Sequence, residues 1–576
     1  MLYGRLLVIV IFFFSSLNYT PKDKSFFISP VKIPLLFSSN FGELRKDHFH
    51  SGVDIKTQGV IGKEVIAAAD GYVSRISVSP AGFGKALYIR HQGGYCTVYG
   101  HLDSFCPEIE EYVKARQYEN RSYLVNLYPE KEAFTFKQGE VIALSGNSGS
   151  SGGPHLHYEI RKSDNEIPIN PLLFEFGSGD NIDPVIEKLA IYPIGPNTLI
   201  NKSNSVRKFN VSGGHGNFYI PAENPITISG NAGFAIKSYD LLNDSYNKCA
   251  VYSIELKIDS TVLFKYLMDG FPFDETRYVN SHIDYETYQK EKVYFEKTFV
   301  LPNDRLSVYK DLVNRGIFNF NDNRVHHAVI TVTDIHKNRS TLSFRIKSEA
   351  RKLAHDQKQP ARTDKVAEVM PYNKSNKFSS DDISVSIPSG ALYDTLFFEY
   401  KKEPAQAGMY SDIHQVHNRF TPLHKAYNLS IKPKIVPPGR ESKMVIATVG
   451  PDLKKYAVSS RWSDGYIKAD LLTFGGFFIS IDTLAPIISP IGLPKGANLT
   501  GKKEIKIKIT DDFSGIKSYE PIIDGNWALF EYDQKNSLLI YRFDENKITR
   551  GSKHKFILRV TDNKDNIRTL DTTFTW

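Results

Sequence analysis

The sequence predicts a mainly β protein. An N-terminal antiparallel β domain with a small helical insert precedes about three β-sandwich-like modules. Three observations predict this. The chain of 576 residues is too long for one core, and its composition, 41% hydrophobic and 24% charged, is that of a folded protein. Tyr and Phe, 32 and 37 in number, dwarf the 5 Met and 3 Trp, and aromatic side chains pack well on pleated faces. Short apolar runs alternate with Gly, Asn and Asp, the punctuation of strands and turns.

The elements follow in order. "MLYGR" carries one Arg, Leu6 to Phe14 are apolar, and "SSLNYT" is polar. That run is too short to span a bilayer and has the layout of a secretory signal over residues 1–19. The chain is therefore expected to be exported to the periplasm or cell envelope, and to be anchored at its N-terminus if the signal is uncleaved. Cys96, Cys106 and Cys249 are too few for a disulfide scaffold and read as free thiols. A net charge of +8, spread over the whole chain, mildly favours an anionic polymer such as a bacterial wall. No nucleic-acid partner is expected.

Residues 20–180 form the first domain. "EVIAAADGYVSRISVS" reads as two strands broken at Asp70-Gly71, and "ALYIRHQGGYCTVYG" as a hairpin around Gln92-Gly93-Gly94. "PEIEEYVKARQYE" reads as a helix, with Pro107 in its first turn and early carboxylates. "FKQGEVIALSGNSG" returns to strand and ends in a glycine-rich loop. Residues 181–350 form a β domain with strands such as "YSIELKID", 351–376 a polar linker, 377–481 a β-rich domain, and 482–576 a last β domain. "VTDIHKNRSTL" from Val332 returns as "VTDNKDNIRTL" from Val560. Asp334 and Asn338 match Asp562 and Asn566, residue types that suit a tight turn. The two regions resemble bacterial immunoglobulin-like modules.

The chemistry sits in the first domain. His155 and His157 are two apart in a strand, so both face one side. In "HFHSGVDIKT", His50 and Asp54 are four apart, and Gly52 between them argues for a strand. His50, Asp54 and one histidine of the later pair supply two nitrogens and one oxygen. With a fourth position open, that is the donor set of a catalytic zinc site. His101, in "TVYGHL", adds another imidazole. The surplus histidines are free to move protons or hold an oxyanion. Iron oxygenases also use two histidines and a carboxylate, but begin H-x-D or H-x-E. His48 and His91 read as structural. Glu159 reads equally as an orienting acceptor for a histidine or as a surface carboxylate. "GNSGSSGG" lacks the Lys-Ser/Thr of a phosphate loop and reads as a flexible rim, with Asn147 and Ser150 as substrate contacts. "ITDDFSG" near Asp511 is too sparse for a calcium site.

H-x-x-x-D, Y-x-H-L and "SGNSGSSGGPHLHYEIR" together resemble the lysostaphin-type, or LytM-type, zinc endopeptidases, over about Phe41 to Pro171. The resemblance implies the LytM-like duplicated hybrid motif as fold. It implies one Zn2+ per catalytic domain, held by His50, Asp54 and His157, with His101 and His155 as catalytic histidines. It implies metal-activated water cutting the stem-peptide cross-bridges of peptidoglycan. "NFGELRKDHFHSGVD" is similar to multidomain relatives from Gram-negative bacteria. The departure is an insert of about Asp103 to Phe136, long for the family. Some relatives are silent activators, so the alternative is a wall-binding scaffold or an activator of other hydrolases. The intact five-residue set favours the enzyme. The β modules are expected to meet an envelope protein or glycan; the oligomeric state is not legible.

Overall fold

The computed structural model describes residues 23–175, 179–221, 225–350, 366–450 and 454–576. The expected signal, 1–19, lies outside them. The first domain contains β1 (Phe37–Ser39), β2 (Val53–Lys56), β3 (Glu64–Ile66), β4 (Gly71–Val78), β5 (Lys85–His91), β6 (Tyr95–Phe105), α1 (Pro107–Asn120), β7 (Val125–Leu127), β8 (Thr135–Phe136), β9 (Val141–Ser145), β10 (His155–Lys162) and β11 (Pro168–Ile169). Its sheet runs β1-β2-β10-β6-β5-β4-β7, with β9 joining β3 to β6. Every described pairing among these strands is antiparallel.

Local sequence accounts for these elements. The β5–β6 hairpin turns at Gly93 and Gly94, whose φ values of 81° and 83° are open to glycine and strained for other residues. Helix α1 has Pro in its first turn and Glu108 and Glu110 near its positive end, and it closes on Arg121 in the left-handed region. It buries Ile109, Val113 and Gln117, an i, i+4, i+8 stripe. Beneath the sheet lie Val53, Ile55, Val73, Leu87, Tyr99, Leu156, Tyr158 and Ile160, all fully buried.

The later modules are β-rich, as expected, but depart in two respects. Residues 185–348 do not separate into two sheets. Their strands form one connected 13-stranded sheet, because Ile226–Leu241 pairs antiparallel with Val185–Ile200 and, through Ile226 to Ile228, parallel with Ile346 to Ser348. Strands of 16 residues are long enough to bend and serve both layers. Short helices between Phe273 and Glu291 interrupt this module. The second departure is in the polar linker. Val366–Met370 is a strand, paired with Leu396–Glu403. It is an edge strand that buries only Met370, so its apolar signature is faint. Residues 366–481 stack a six-stranded sheet on a five-stranded one, and 487–575 a four-stranded sheet on a five-stranded one.

Candidate active site

Strand register assembles the site. His157 on β10 pairs with Asp54 on β2 and, across its other edge, with Gly100 on β6. His50 lies just before β2, and Asp54 inside it. The strands can close this tightly because residue 52 is glycine. A Cβ there would lie 2.4 Å from the Tyr158 carbonyl oxygen and 2.8 Å from Glu159 Cγ. His101 holds a φ of 60°, sparsely populated for a residue with a Cβ, and this turns its ring toward the site.

Three donor atoms converge. His50 Nε2 is 3.1 Å and His157 Nδ1 2.9 Å from Asp54 Oδ1, and the two nitrogens are 3.1 Å apart. The opposite nitrogen of each ring is anchored: His50 Nδ1–H donates to the Asn40 carbonyl at 2.8 Å, and His157 Nε2–H to Glu159 Oε1 at 2.9 Å. These bonds turn the opposite nitrogens, His50 Nε2 and His157 Nδ1, to the centre, where their lone pairs serve a metal that displaces their protons. Arg45 Nη2 binds Asp54 Oδ2 at 3.3 Å, so Oδ1 remains for the centre. Burial opposes ionisation of Asp54, but the His50 charge and hydrogen bonds from His155, His157 and His50 hold its carboxyl far below the usual range. Burial also disfavours a charged His157, yet Asp54 and Glu159 outweigh it and raise that imidazole to about 9. The cluster therefore stabilises positive charge. Two imidazoles and one carboxylate fit zinc in the open three-ligand arrangement.

His101 and His155 complete the constellation, their ring centroids 4.8 Å apart. His101 Nδ1–H donates to Ser148 O at 2.9 Å, and His155 Nδ1–H to Gly153 O at 2.8 Å. Each ring is thus held through Nδ1 and turns its Nε2 edge to the groove, and His155 Nε2 stands 3.5 Å from Asp54 Oδ1. Burial, then the neighbouring His157 and His155, push His101 down to about 3.

Of the alternatives open for Glu159, the structure selects the orienting acceptor. Glu159 is fully buried, binds His157, accepts from Ser51 Oγ, and pairs with Arg161 Nε at 2.5 Å. Arg161 went unnoticed in the sequence, yet His155, His157, Glu159 and Arg161 share one period-two face of β10. His48 is exposed and bonds Asp47, while His91 is held by the Asp70 carbonyl and Thr97 Oγ1. The glycine-rich loop is packed instead of loose. Ser148 Oγ donates to Leu102 O, and a Cβ on Gly149 would lie 2.3 Å from the Gly84 nitrogen. Ser150 lines the groove, whereas Asn147 faces Lys535 of the last module, whose ammonium donates to Asn147 Oδ1 at 3.0 Å and to Ser151 O at 2.8 Å.

The site opens into a groove of about 650 Å³, and a second hollow sharing Arg45, Asp54, Gly152 and His155 continues it. Phe273 and Thr276 of the second module form part of the wall, and neither was legible in the sequence.

Comparison with known proteins agrees with this geometry. Residues 48–118 match Peptidase family M23, and residues 367–482 match the Zu5-like domain. An uncharacterized metalloprotease of Haemophilus influenzae is 40% identical over 123 residues, 21% of this chain and 20% of that protein. The peptidoglycan DD-endopeptidase ShyC of Vibrio cholerae is 30% identical over 171 residues, 29% of this chain and 33% of its own. The murein hydrolase activator NlpD of Salmonella dublin is 28% identical over 135 residues, 23% of this chain and 28% of its own. The matched stretch spans a third or less of each relative. The stretch that carries His50, Asp54 and His101 thus matches Peptidase family M23, in line with the LytM-type resemblance of the sequence.

Proposed function

We propose that this domain is a zinc-dependent endopeptidase that hydrolyses the peptide cross-bridges of peptidoglycan outside the cytoplasm, in the periplasm or envelope. The observation that carries the reading is the convergence of His50 Nε2, Asp54 Oδ1 and His157 Nδ1, beside two further imidazoles that line the groove with Nδ1 held by loop carbonyls. His50, Asp54 and His157 would hold the zinc. When bound, zinc supplies Lewis-acid polarisation and a water acidified toward a pKa of about 7.

The chain's own residues supply the rest. His101 and His155 present two imidazole edges to the groove, one as a lone pair that takes a proton from the water and passes it to the leaving amine, the other in its protonated form, donating Nε2–H to the carbonyl oxygen as it gains charge. Phe83 stacks on His157 with ring centroids 4.8 Å apart, shielding one face of that ring from water. The two hollows meeting at His155 and Asp54 accommodate an extended peptide on both sides of the scissile bond. Among the described residues no helix is long and apolar enough to cross a membrane. The β modules would present the enzyme to an envelope protein or glycan.

The test uses the chain without residues 1–19, its zinc content measured, incubated with sacculi. Asp54→Ala and chelator-treated protein run in parallel, and soluble fragments are read by mass spectrometry. Shortened cross-bridges from the zinc-loaded protein alone are the expected result. Intact sacculi with full zinc occupancy overturn the enzyme in favour of an activator, the activity named for the NlpD relative.

A further inference from the structure

The second and last modules share more than one hairpin. Asp180 precedes Pro184-Val185-Ile186, and Asp482 precedes Pro486-Ile487-Ile488 at the same spacing. Asp240 is the last residue but one of strand Ile226–Leu241, while Asp511 directly follows strand Glu504–Thr510. The V-T-D hairpins contribute Asp334 and Asp562. The hydrogen bonds around these residues repeat. Asn338 donates its backbone N–H to Asp334 Oδ1 at 2.8 Å and its amide to Asp334 Oδ2 at 2.6 Å and Asp180 O at 3.1 Å. Asn566 does the same to Asp562 at 2.8 Å and 2.7 Å, and to Asp482 O at 3.2 Å. Three residues past Asp240, Asn243 N–H reaches the Asp180 carboxylate at 3.1 Å; three past Asp511, Ser514 N–H reaches that of Asp482 at 3.2 Å. Three carboxylates thus occupy equivalent places in two modules: Asp180, Asp240 and Asp334 in one, Asp482, Asp511 and Asp562 in the other.

The two clusters differ in how their charge is met. In the last module Lys564, 7% exposed, lies two residues past Asp562; burial lowers its pKa, the charges of Asp482, Asp565 and Asp562 oppose that, and its ammonium donates to the Met444 and Ser460 carbonyls at 2.8 and 3.0 Å. Asp482, Asp511 and Asp562 each accept backbone N–H donors there. In the second module the place of Lys564 is taken by His336. Asp240 is 2% exposed, and its Oδ1 has no hydrogen-bond partner; neither has the buried Oδ2 of Asp180. Donor atoms of Asp180, Asp334 and His336 lie within 4.8 Å of one another. Burial, then repulsion from Asp334 and Asp180, raises the Asp240 carboxyl to about 8, which the Leu241 N–H only partly offsets. Buried carboxylate oxygens without donors are costly, and a cation satisfies several at once.

We propose that Asp180, Asp240 and Asp334 bind a divalent cation of the oxygen-seeking class, Ca2+, at the junction between the peptidase domain and the second module. Calcium accepts several carboxylate oxygens in irregular geometry and completes its shell with carbonyls and water. His336 sits at the rim as the counterpart of Lys564. Asp180 belongs to the connection leaving the peptidase domain, Asp240 to a strand end and Asp334 to a hairpin. One ion would join all three to the module whose Phe273 and Thr276 wall the groove. The site is independent of the proposed peptidase activity.

The test is calorimetric titration of CaCl2 into the zinc-loaded chain, with thermal melts at 0 and 5 mM calcium. Wild type and Asp511→Asn are expected to bind one calcium and to melt higher with it. Asp240→Asn is expected to lose both the binding heat and the shift. Because that substitution replaces a buried carboxyl whose ionisation its surroundings oppose with a neutral group of the same shape, Asp240→Asn should fold and melt no lower than calcium-free wild type. Two results overturn the proposal: a wild-type melt that calcium leaves unmoved, which would make Asp240 a protonated carboxyl, or an Asp240→Asn variant that retains the response.

Discussion

Replacing Glu159 with Gln separates the two tasks of that side chain. Its Oε1 accepts from His157 Nε2 at 2.9 Å, and its Oε2 from Arg161 Nε at 2.5 Å. An amide has one acceptor and one donor end. With the oxygen toward His157, the NH2 faces the Arg161 guanidinium; flipped, it faces the His157 N–H. Neither orientation satisfies both. Arg161 is 5% exposed and keeps its second pair with Glu166 at 2.9 Å, so losing the buried Glu159 partner costs about 2–3 kcal/mol of stability, below the usual range for a buried charge left wholly unpaired. Loss of the acceptor that fixes a ligand ring lowers metal affinity roughly 10- to 100-fold. Denaturant unfolding measures the first quantity, and zinc titration against a chromophoric chelator the second. Adding Arg161→Leu to Glu159→Gln should recover much of the stability and none of the zinc affinity. Unchanged zinc affinity in the single variant would refute the orienting role.

Three further perturbations carry defined outcomes. Gly52→Ala places a methyl 2.4 Å from the Tyr158 carbonyl oxygen and 3.1 Å from His157 Cε1, so β2 must retreat from β10. Expected are a loss of about 1–3 kcal/mol in denaturant unfolding and weaker zinc binding. Lys297, 8% exposed, is depressed from 10.5 to about 8, chiefly by burial, with Asp284, Asp304 and Asp394 opposing. The unfolded chain then keeps a proton that the folded chain gives up, so stability rises as pH climbs from about 8 to 10.5, and the penalty is full below about 8. Lys297→Met should therefore stabilise at pH 7 by about 3 kcal/mol and flatten that rise, read from unfolding midpoints against pH. Lys535→Ala removes the ammonium bound to Asn147 and Ser151, and should speed amide hydrogen exchange across 147–153 with little change in global stability.

What could be read in the sequence was what depends on short-range periodicity. The period of two in β10 put His155, His157 and Glu159 on one face, and Gly52 argued for a strand through His50 and Asp54. The strand at Val366–Met370 escaped notice because an edge strand with one buried residue carries almost no pattern. The connected sheet of 185–348 escaped because parallel pairing of Ile226 with Ile346 joins positions 120 residues apart that no local signal relates. Arg45 was missed for a different reason. Its pairing with Asp54 spans only nine residues, but in a loop whose path periodicity does not specify.

The long-range contacts also change where the peptidase domain ends energetically. Phe41 and Phe49, each 1% exposed, flank the loop that delivers His50, and both pack in the core of the second module. Asn40 exchanges two hydrogen bonds of 2.8 Å with Ala250, and Phe49 N–H binds Thr276 Oγ1 at 2.9 Å. The same Asn40 supplies the carbonyl that orients His50. Burial of two phenylalanines is worth about 1.5–3 kcal/mol each, so the second module holds a proposed zinc ligand in place. The last module acts on the opposite rim. Tyr118 of α1 meets Trp527 edge-on at 5.4 Å, Lys114 pairs with Asp544 at 2.6 Å, and Leu529 and Tyr532 pack against the first domain's core. The insert that departs from the LytM pattern thus serves as the platform on which the last module sits, bringing Lys535 to the glycine-rich loop. A domain cut from the chain near residue 180 would lose both supports, the one behind His50 and the one over the loop whose carbonyls orient His101 and His155.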